Sequence, residues 1–271
     1  MGAEDDPGAH GDPGAHGDPG VDGDPDLGPE LDRIESAVAS GDRDLRALGF
    51  WPLVRRLKLY PELADRHADQ VGRIDRAAFE AAKRWRFPVW LGNAVLVLGT
   101  VAMALVTAFG VAFVEGFDPP SVSGGDPPNP TVGGALLVVA AGGLSVTLHD
   151  LAHWLVGRLA GIRFLCYFPG GPFRIQPGLK TDYATYLRAP PISRAAMHAS
   201  GAVASKIAPF IVLAFVALAG NLSETPIWAI IAIVAIGAVQ IITDLLWSTK
   251  KSDWKKVSRE LRIAREMASA G

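Results

Sequence analysis

Four long apolar segments place the strongest constraint on how this chain of 271 residues can fold. They run over residues 91–113, 134–156, 195–219 and 226–247, and each holds about 22 to 25 residues. At about 1.5 Å of rise per residue, a helix of that length crosses the ~30 Å hydrocarbon core of a bilayer. The chain is 49% hydrophobic with a mean hydropathy of +0.22. The pattern predicts an all-α integral membrane protein with four transmembrane helices.

Lysine and arginine are distributed unevenly between the two ends of these segments. Residues 83–86 carry three of them, the loop between the second and third segments carries six, and the stretch after the fourth segment carries seven. The loops at residues 115–133 and 220–225 carry none. Because loops rich in lysine and arginine stay in the cytoplasm, we expect a multi-pass protein of the cell membrane with both termini cytoplasmic.

Outside the apolar segments, composition separates three further regions. Residues 1–28 form an acidic tail built on a repeated Asp-Pro-Gly unit, which cannot build a packed core and is expected to be disordered. Residues 29–88 are predicted to form a small cytoplasmic helical region, with helices at about 29–40 and 61–86. Residues 251–271 are predicted to form a cytoplasmic amphipathic helix on anionic lipid headgroups. The four-span membrane domain then covers residues 89–250.

The loop between the second and third apolar segments contains a candidate short β-hairpin. An apolar run at residues 162–168 is followed by the turn sequence Pro169-Gly170-Gly171-Pro172, and a second run follows at residues 173–176. The alternative for the same residues is an ordered loop anchored by its aromatic side chains. In a hairpin, the exposed strand edge could bind an extended peptide by strand addition.

Three ionisable residues, His149, Asp150 and His153, interrupt the second apolar segment. Two histidines four residues apart lie on one face of a helix, where they can share one metal ion. Ionisable groups inside a bilayer are costly, so this group indicates a functional site. Asp150 follows the first histidine, where a carboxylate can act as a general base toward bound water.

Depth along the helices favours Asp244 as a third ligand. His149 lies ~22 Å from the outer end of its segment, and Asp244 lies ~27 Å from the outer end of the fourth. His149, His153 and Asp244 can therefore meet near the cytoplasmic side of the bilayer. Cys166 is the only cysteine, which excludes a cysteine-rich zinc site. Two imidazoles and one carboxylate form a recurring catalytic zinc set, and the same set can also hold iron.

These motifs resemble those of the site-2 protease family of intramembrane zinc metalloproteases. That family has a His-Glu-x-x-His helix in one span and an aspartate ligand in a later span. In this chain the helix motif corresponds to His149-Asp150-Leu151-Ala152-His153. The later aspartate corresponds to Asp244, within Thr243-Asp244-Leu245. Residues 169–172 resemble the glycine-containing loop after that helix, and residues 199–202 resemble the small-residue start of the family's next span. The resemblance covers about residues 134–250.

The resemblance implies a zinc ion held by His149, His153 and Asp244, with Asp150 as the general base. The protein would hydrolyse peptide bonds in or near transmembrane segments of membrane-protein or peptide substrates. Asp150 departs from the family, because it stands where the family has a glutamate and is one methylene shorter. The alternative is a non-catalytic, protease-like membrane scaffold that binds transmembrane clients.

Two further polar residues lie in the third apolar segment. His198 is close to the proposed depth of the metal, so it is a second candidate ligand or else a helix-packing histidine. Lys206 would lie ~16 Å deep and should face protein or water. Lys206 also keeps open a small transporter with a polar site. Nothing in the sequence indicates nucleic-acid binding, and the sequence leaves the oligomeric state open.

Overall fold

The computed structural model describes residues 27–115, 129–170, 176–246 and 252–270, and this part of the chain is mostly helical. The elements in chain order are α1 (Gly28–Ala39), α2 (Phe50–Leu57), α3 (Pro61–Ala82), α4 (Val89–Glu115), α5 (Pro130–Leu159), β1 (Phe164–Gly170), β2 (Gln176–Thr181), α6 (Tyr183–Arg188), α7 (Pro191–Leu218), α8 (Ile227–Leu246) and α9 (Asp253–Ala270). Nearly all of the predicted acidic tail, residues 1–26, lies outside the described residues.

The chain forms two compact units. The first, here called the hairpin unit, comprises the described parts of residues 1–86, 157–195 and 255–271. The second, here called the apolar unit, comprises the described parts of residues 87–156 and 196–254. The hairpin unit is thus assembled from three separate stretches of chain.

The core of the hairpin unit lies between α1, α2, α3 and α6. It contains the fully buried side chains of Leu31, Ile34, Phe50, Leu57 and Val71, among others. The predicted helix at residues 29–40 is confirmed as α1, and the predicted helix at residues 61–86 is confirmed as α3. The latter ends at Ala82, because Lys83 already has an extended backbone. The sequence patterns did not predict α2, which is only eight residues long.

The predicted hairpin is confirmed by the antiparallel pair of β1 and β2. The register runs from Phe164 opposite Thr181 to Gly170 opposite Gln176. The second strand therefore begins at residue 176, later than predicted, and residues 171–175 lie outside the described residues. Phe79 of α3 packs against Phe168 of β1 with ring centroids 5.2 Å apart. These contacts hold the hairpin against α3.

Three helices among the described residues, α4, α5 and α7, are long and apolar enough to cross a membrane. A fourth, α8, is apolar over Ile227–Thr243, which is shorter. These three helices agree with the predicted apolar segments at residues 91–113, 134–156 and 195–219. The complete four-span arrangement and its orientation stay predictions.

The apolar unit has a core in which all four of these helices take part. The buried side chains of this core come from α4 (Val111), α5 (Leu137, Leu144), α7 (Val212) and α8 (Ile233). Large apolar side chains also point away from this core: on α4 alone, Val95, Leu98, Val101, Leu105 and Phe109 are each more than half exposed. Apolar surface of this extent is typical of a face that meets lipid, and it is consistent with a membrane protein.

Candidate metal centre

The two histidines of α5 present their ring nitrogens to each other. His149 and His153 are one helical turn apart, so they share a face of the helix. Their Nε2 atoms are 3.2 Å apart, and their rings are nearly perpendicular, with centroids separated by 4.6 Å. The spacing predicted from the sequence therefore produces a convergent pair.

A carboxylate from the first residue of α9 completes the group. Asp253 Oδ2 lies 3.2 Å from His153 Nε2 and 3.4 Å from His149 Nε2. With the 3.2 Å between the two nitrogens, the three atoms form a nearly equilateral triangle. All three residues are partly buried and belong to the apolar unit. Such a His-His-Asp group could hold a metal ion.

The edges of this triangle fit a small divalent cation. Zinc binds imidazole nitrogen and carboxylate oxygen at about 2.0–2.2 Å, so neighbouring ligand atoms of a tetrahedral site are separated by about 3.3–3.6 Å. The observed separations of 3.2, 3.2 and 3.4 Å are close to that range. Two histidines and one carboxylate provide three ligands, which is the number that catalytic zinc sites take from the protein.

The environment of His153 fixes which ring nitrogen faces the triangle. His153 Nδ1 lies 2.6 Å from the backbone carbonyl oxygen of Met197 on α7. A carbonyl can only accept a hydrogen bond, so Nδ1 donates it, and Nε2 is the ring nitrogen that faces the triangle. This is the outer-shell arrangement that orients metal-binding histidines. Gly201, one turn further along α7, lies against the ring, and a Cβ there would overlap it.

The sequence singled out four other residues near the site, and the structure describes the side chains of three of them. Asp150 is buried, with 8% of its surface exposed. The backbone of Asp244 belongs to α8, but its side chain lies outside the described part of the structure, so its role as a ligand stays a prediction. His198 on α7 is close to the group, with Nδ1 4.0 Å from Asp253 Oδ1. Lys206 donates a hydrogen bond to the carbonyl of Ala202, on its own helix.

Asp253 was not predicted from the sequence. It lies in the basic stretch beyond the fourth apolar segment, so depth along a span cannot identify it. The sequence does contain one signal, because Asp253 is the only acidic residue between Asp244 and Glu260. An acid at the first turn of a helix that follows a span is a second place to look for a ligand.

A cavity of about 220 Å³ adjoins this group within the apolar unit. His149 and Asp253 form part of its wall, and the other polar side chains in the wall include those of Ser205, Lys206 and Gln240. The described residues that line the cavity do not include Asp150. Two of the three candidate ligands, His149 and Asp253, therefore face a partly polar space between apolar helices.

A second charged cluster, of different composition, lies in the core of the hairpin unit. Glu260 of α9 is fully buried, and its carboxylate accepts hydrogen bonds from Lys58 Nζ (2.6 Å), Arg194 Nε (2.6 Å) and the Tyr186 hydroxyl (3.0 Å). Burial lowers the pKa of Lys58 to about 8, because the attraction of Glu260 does not offset desolvation and the repulsion from the neighbouring arginines.

The same cluster lowers the pKa of Glu260. Burial alone would raise it, but the charges of Lys58 and Arg194 outweigh that effect and hold the pKa at about 2. Glu260 is therefore ionised at neutral pH, with charged donors on both oxygens. We assign this cluster to the stability of the fold.

Comparison of the chain with protein-family models, with curated proteins and with solved structures finds no match. The functional argument therefore rests on the geometry of the group formed by His149, His153 and Asp253.

Proposed function

We propose that this protein is a membrane-embedded metalloprotease, similar in its site to the site-2 protease family, that hydrolyses peptide bonds in or near transmembrane segments. The observation that carries the proposal is the triangle of His149 Nε2, His153 Nε2 and Asp253 Oδ2, with edges of 3.2–3.4 Å. These atoms lie in a unit made of long apolar helices, beside a polar cavity. A water and an extended peptide would reach the ligands through that cavity.

His149, His153 and Asp253 would hold the metal, for which zinc is our first choice because of the donor set and spacing. When bound, zinc supplies Lewis-acid chemistry, which activates water and polarises a carbonyl. The chain's own residues keep this geometry in place. His153 is oriented by its hydrogen bond to Met197, and α7 can lie against its ring because residue 201 is glycine.

Asp150 is the proposed general base. Its carboxylate would accept a proton from the attacking water and then donate it to the amine that leaves when the peptide bond breaks. Asp150 follows His149 directly, which is the place of the glutamate in the family that the motif resembles. A displacement of ~1 Å in a general base can cost ~100-fold in rate, so the shorter side chain is the sensitive point of the mechanism.

The second candidate function is a scaffold that binds transmembrane clients and cleaves nothing. The burial of Asp150, and its absence from the described residues that line the cavity, favour this alternative. The scaffold would bind its clients with or without zinc. Where zinc is bound, the two functions differ in proton transfer, and Asp150 is the residue that separates them.

We further propose a multi-pass arrangement in the cell membrane, with α4, α5, α7 and α8 as the spans and both termini in the cytoplasm. The support is the exposed apolar surface of these helices and the asymmetry of lysine and arginine between the loops. In this arrangement the metal group lies near the cytoplasmic side, and its partners are the lipid bilayer and a membrane-protein or peptide substrate.

The metal site is tested by measuring bound zinc in purified, detergent-solubilised protein. Wild type should bind one zinc per chain, and His149→Ala should lose it. Asp253→Asn and Asp244→Asn form a matched pair for the third ligand. We expect Asp253→Asn to weaken zinc binding and Asp244→Asn to leave it unchanged. The reverse result would identify Asp244 as the third ligand. Purified wild type without zinc would refute the proposed metal site.

The enzyme and the scaffold are separated by cleavage of a reporter transmembrane segment in membranes that contain each variant. For an enzyme, Asp150→Asn should abolish cleavage while zinc stays bound, and Asp150→Glu should keep or raise activity because it restores the longer reach. Cleavage that persists in Asp150→Asn would remove this residue from the mechanism. Zinc-loaded wild type that cleaves no native membrane protein in a panel would favour the scaffold.

Orientation is tested by thiol labelling in a background where Cys166, the only cysteine, is replaced by alanine. A cysteine at Ser223, in the turn between α7 and α8, should react with an impermeant reagent from outside the cell. A cysteine at Ser40, after α1, should react only after the membrane is opened. The opposite pattern would reverse the proposed topology.

A further inference from the structure

The carboxylate of Asp253 has two oxygens, and only one of them belongs to the triangle. Oδ2 lies 3.2 Å from Nε2 of His153 and 3.4 Å from Nε2 of His149, both on α5. Oδ1 lies 4.0 Å from Nδ1 of His198 on α7. The two oxygens of one carboxylate thus face histidines on two different helices of the apolar unit. The contact with His198 is the starting point for the inference.

A carboxylate that binds a metal through one oxygen is more firmly oriented when a second group holds its other oxygen. The torsion that turns the carboxylate plane of an aspartate is broad and roughly two-fold, so by itself it orients the group only weakly. Ligating carboxylates in proteins are accordingly hydrogen-bonded by neighbouring groups, and these neighbours affect metal affinity. An imidazole N–H is a suitable donor for this purpose.

The position of His198 fits a partner of Asp253 better than a metal ligand. Its contact is with Oδ1, the oxygen outside the triangle. Its ring centroid lies 6.4 Å from that of His153, whereas the ring centroids of His149 and His153 are 4.6 Å apart. The side chains of His198 and Asp253 are both more than four-fifths buried. The two atoms are about 1 Å too far apart for a hydrogen bond, a gap that a small rotation of either side chain closes.

The neighbouring residue on α7 supplies independent support. The carbonyl oxygen of Met197 lies 2.6 Å from Nδ1 of His153 and orients that ligand. Two successive residues of α7 therefore face two different members of the triangle, Met197 through its backbone and His198 through its side chain. Paired contacts of this kind are typical of the outer shell of a metal site, in which each ligand is held by a second group.

We propose that His198 is a positioning residue for the metal site: its Nδ1–H binds Oδ1 of Asp253 and thereby holds Oδ2 toward the metal. The proposal rests on the metal site proposed above and deepens it, because it assigns the group that orients the carboxylate ligand. In this role His198 does not bind the metal, and it acts only through Asp253.

The test measures the affinity of full-length, detergent-solubilised protein for cobalt(II), whose visible spectrum responds to its ligands. His198→Leu removes the donor, so it should weaken cobalt binding by about 10- to 100-fold, the usual cost of losing an outer-shell partner. His198→Asn should restore most of the affinity and the wild-type spectrum, because the amide nitrogen of asparagine is a donor bonded to Cγ, as Nδ1 of histidine is. His67→Leu, which removes a histidine from the hairpin unit, is the matched control and should bind cobalt like wild type.

A double-mutant cycle shows whether His198 acts through Asp253. Asp253→Ala removes the carboxylate, so adding His198→Leu to this variant should cause no further loss of cobalt affinity. Losses that add in the double variant would mean that His198 acts independently of Asp253, and they would overturn the proposal.

The remaining outcomes separate the role of His198 from the metal site itself. Equal cobalt affinity in wild type and His198→Leu would overturn this role and leave the metal site standing. Equal losses in His198→Leu and His198→Asn would also overturn it, because they would identify the imidazole itself as a ligand or a packing group. Failure of wild type to bind cobalt would overturn both proposals.

Discussion

Two polar clusters of this protein, one fully buried and one partly buried, have similar interatomic distances and different chemistry. In the hairpin unit, the carboxylate of Glu260 accepts hydrogen bonds of 2.6–3.0 Å from Lys58, Arg194 and Tyr186. In the apolar unit, the Nε2 atoms of His149 and His153 and the Oδ2 atom of Asp253 lie 3.2–3.4 Å from one another. The first cluster surrounds one acceptor with charged donors, whereas the second brings together three atoms that can each bind a metal ion.

This difference separates a stabilising cluster from a binding site. A buried carboxylate with donors on both oxygens is satisfied by the protein itself, and its removal leaves charges uncompensated. Two imidazole nitrogens and a carboxylate oxygen that converge on one point can bind a cation there. Mutations in the first cluster should therefore lower the stability of the fold. Mutations in the second should lower the affinity for a metal ion.

The largest effect is expected when Glu260, at the centre of the cluster in the hairpin unit, is replaced. Glu260→Gln leaves the charges of Lys58 and Arg194 without their buried carboxylate, which should destabilise the hairpin unit by about 3–5 kcal/mol. The buried thiol of Cys166, the only cysteine, reports opening of this unit through its labelling rate under native conditions. Glu266→Gln, at an exposed position on the same helix, is the matched control. Equal labelling rates in the two variants would contradict the stabilising role.

The next effect is a loss of stability in acid. The folded-state pKa of Glu260 is about 2, below its ordinary value of 4.5. A carboxylate with a lowered pKa contributes stability that is complete above pH ~4.5 and is lost as the pH falls toward ~2, about 3 kcal/mol in total. Urea unfolding of wild type and Glu260→Gln, followed by circular dichroism, should show a steeper loss in wild type below about pH 4.5. Parallel pH profiles would refute this assignment.

A smaller effect is expected when a single methyl group is added beside the group formed by His149, His153 and Asp253. Gly201→Ala places a Cβ where the ring of His153 lies, so the ring must move and the triangle is distorted. Changes that disturb the orientation of a ligand cost about 10- to 100-fold in metal affinity. Competition with a zinc chelator measures this change. Gly142→Ala on α5 is the control, because a Cβ there meets no atom within 4 Å, and it should bind zinc like wild type.

The smallest effect is expected where ions pair at the surface of the hairpin unit. Arg188 donates hydrogen bonds of 2.9 Å to Asp65 and Asp69, yet both carboxylates are about 70% exposed. Surface pairs are screened by water, so Arg188→Gln should change the free energy of unfolding by no more than about 1 kcal/mol. Urea unfolding checks this value. A loss as large as that in Glu260→Gln would show that burial is not what distinguishes the two sets of ions.

Local sequence patterns predicted the elements that depend on neighbouring residues. The apolar segments gave α4, α5 and α7, and Pro61 marked the start of α3, because length, periodicity and proline act over a few turns of chain. The hairpin was predicted from its turn sequence, although β2 begins three residues later than expected. The short helix α2 was missed because eight residues give little periodicity and its stability comes from packing of Phe50 and Leu57 in the core.

For the site, the sequence by itself determined the histidine pair. A spacing of four residues on a helix places His149 and His153 on one face, wherever that helix lies. The choice of a carboxylate partner depends on how α9 packs, and the structure brings Asp253 to the pair, one hundred residues from His153. The Lys58–Glu260 pair, 202 residues apart, follows the same principle. Contacts within one helix are fixed by backbone geometry, whereas contacts between distant residues exist only after the helices pack.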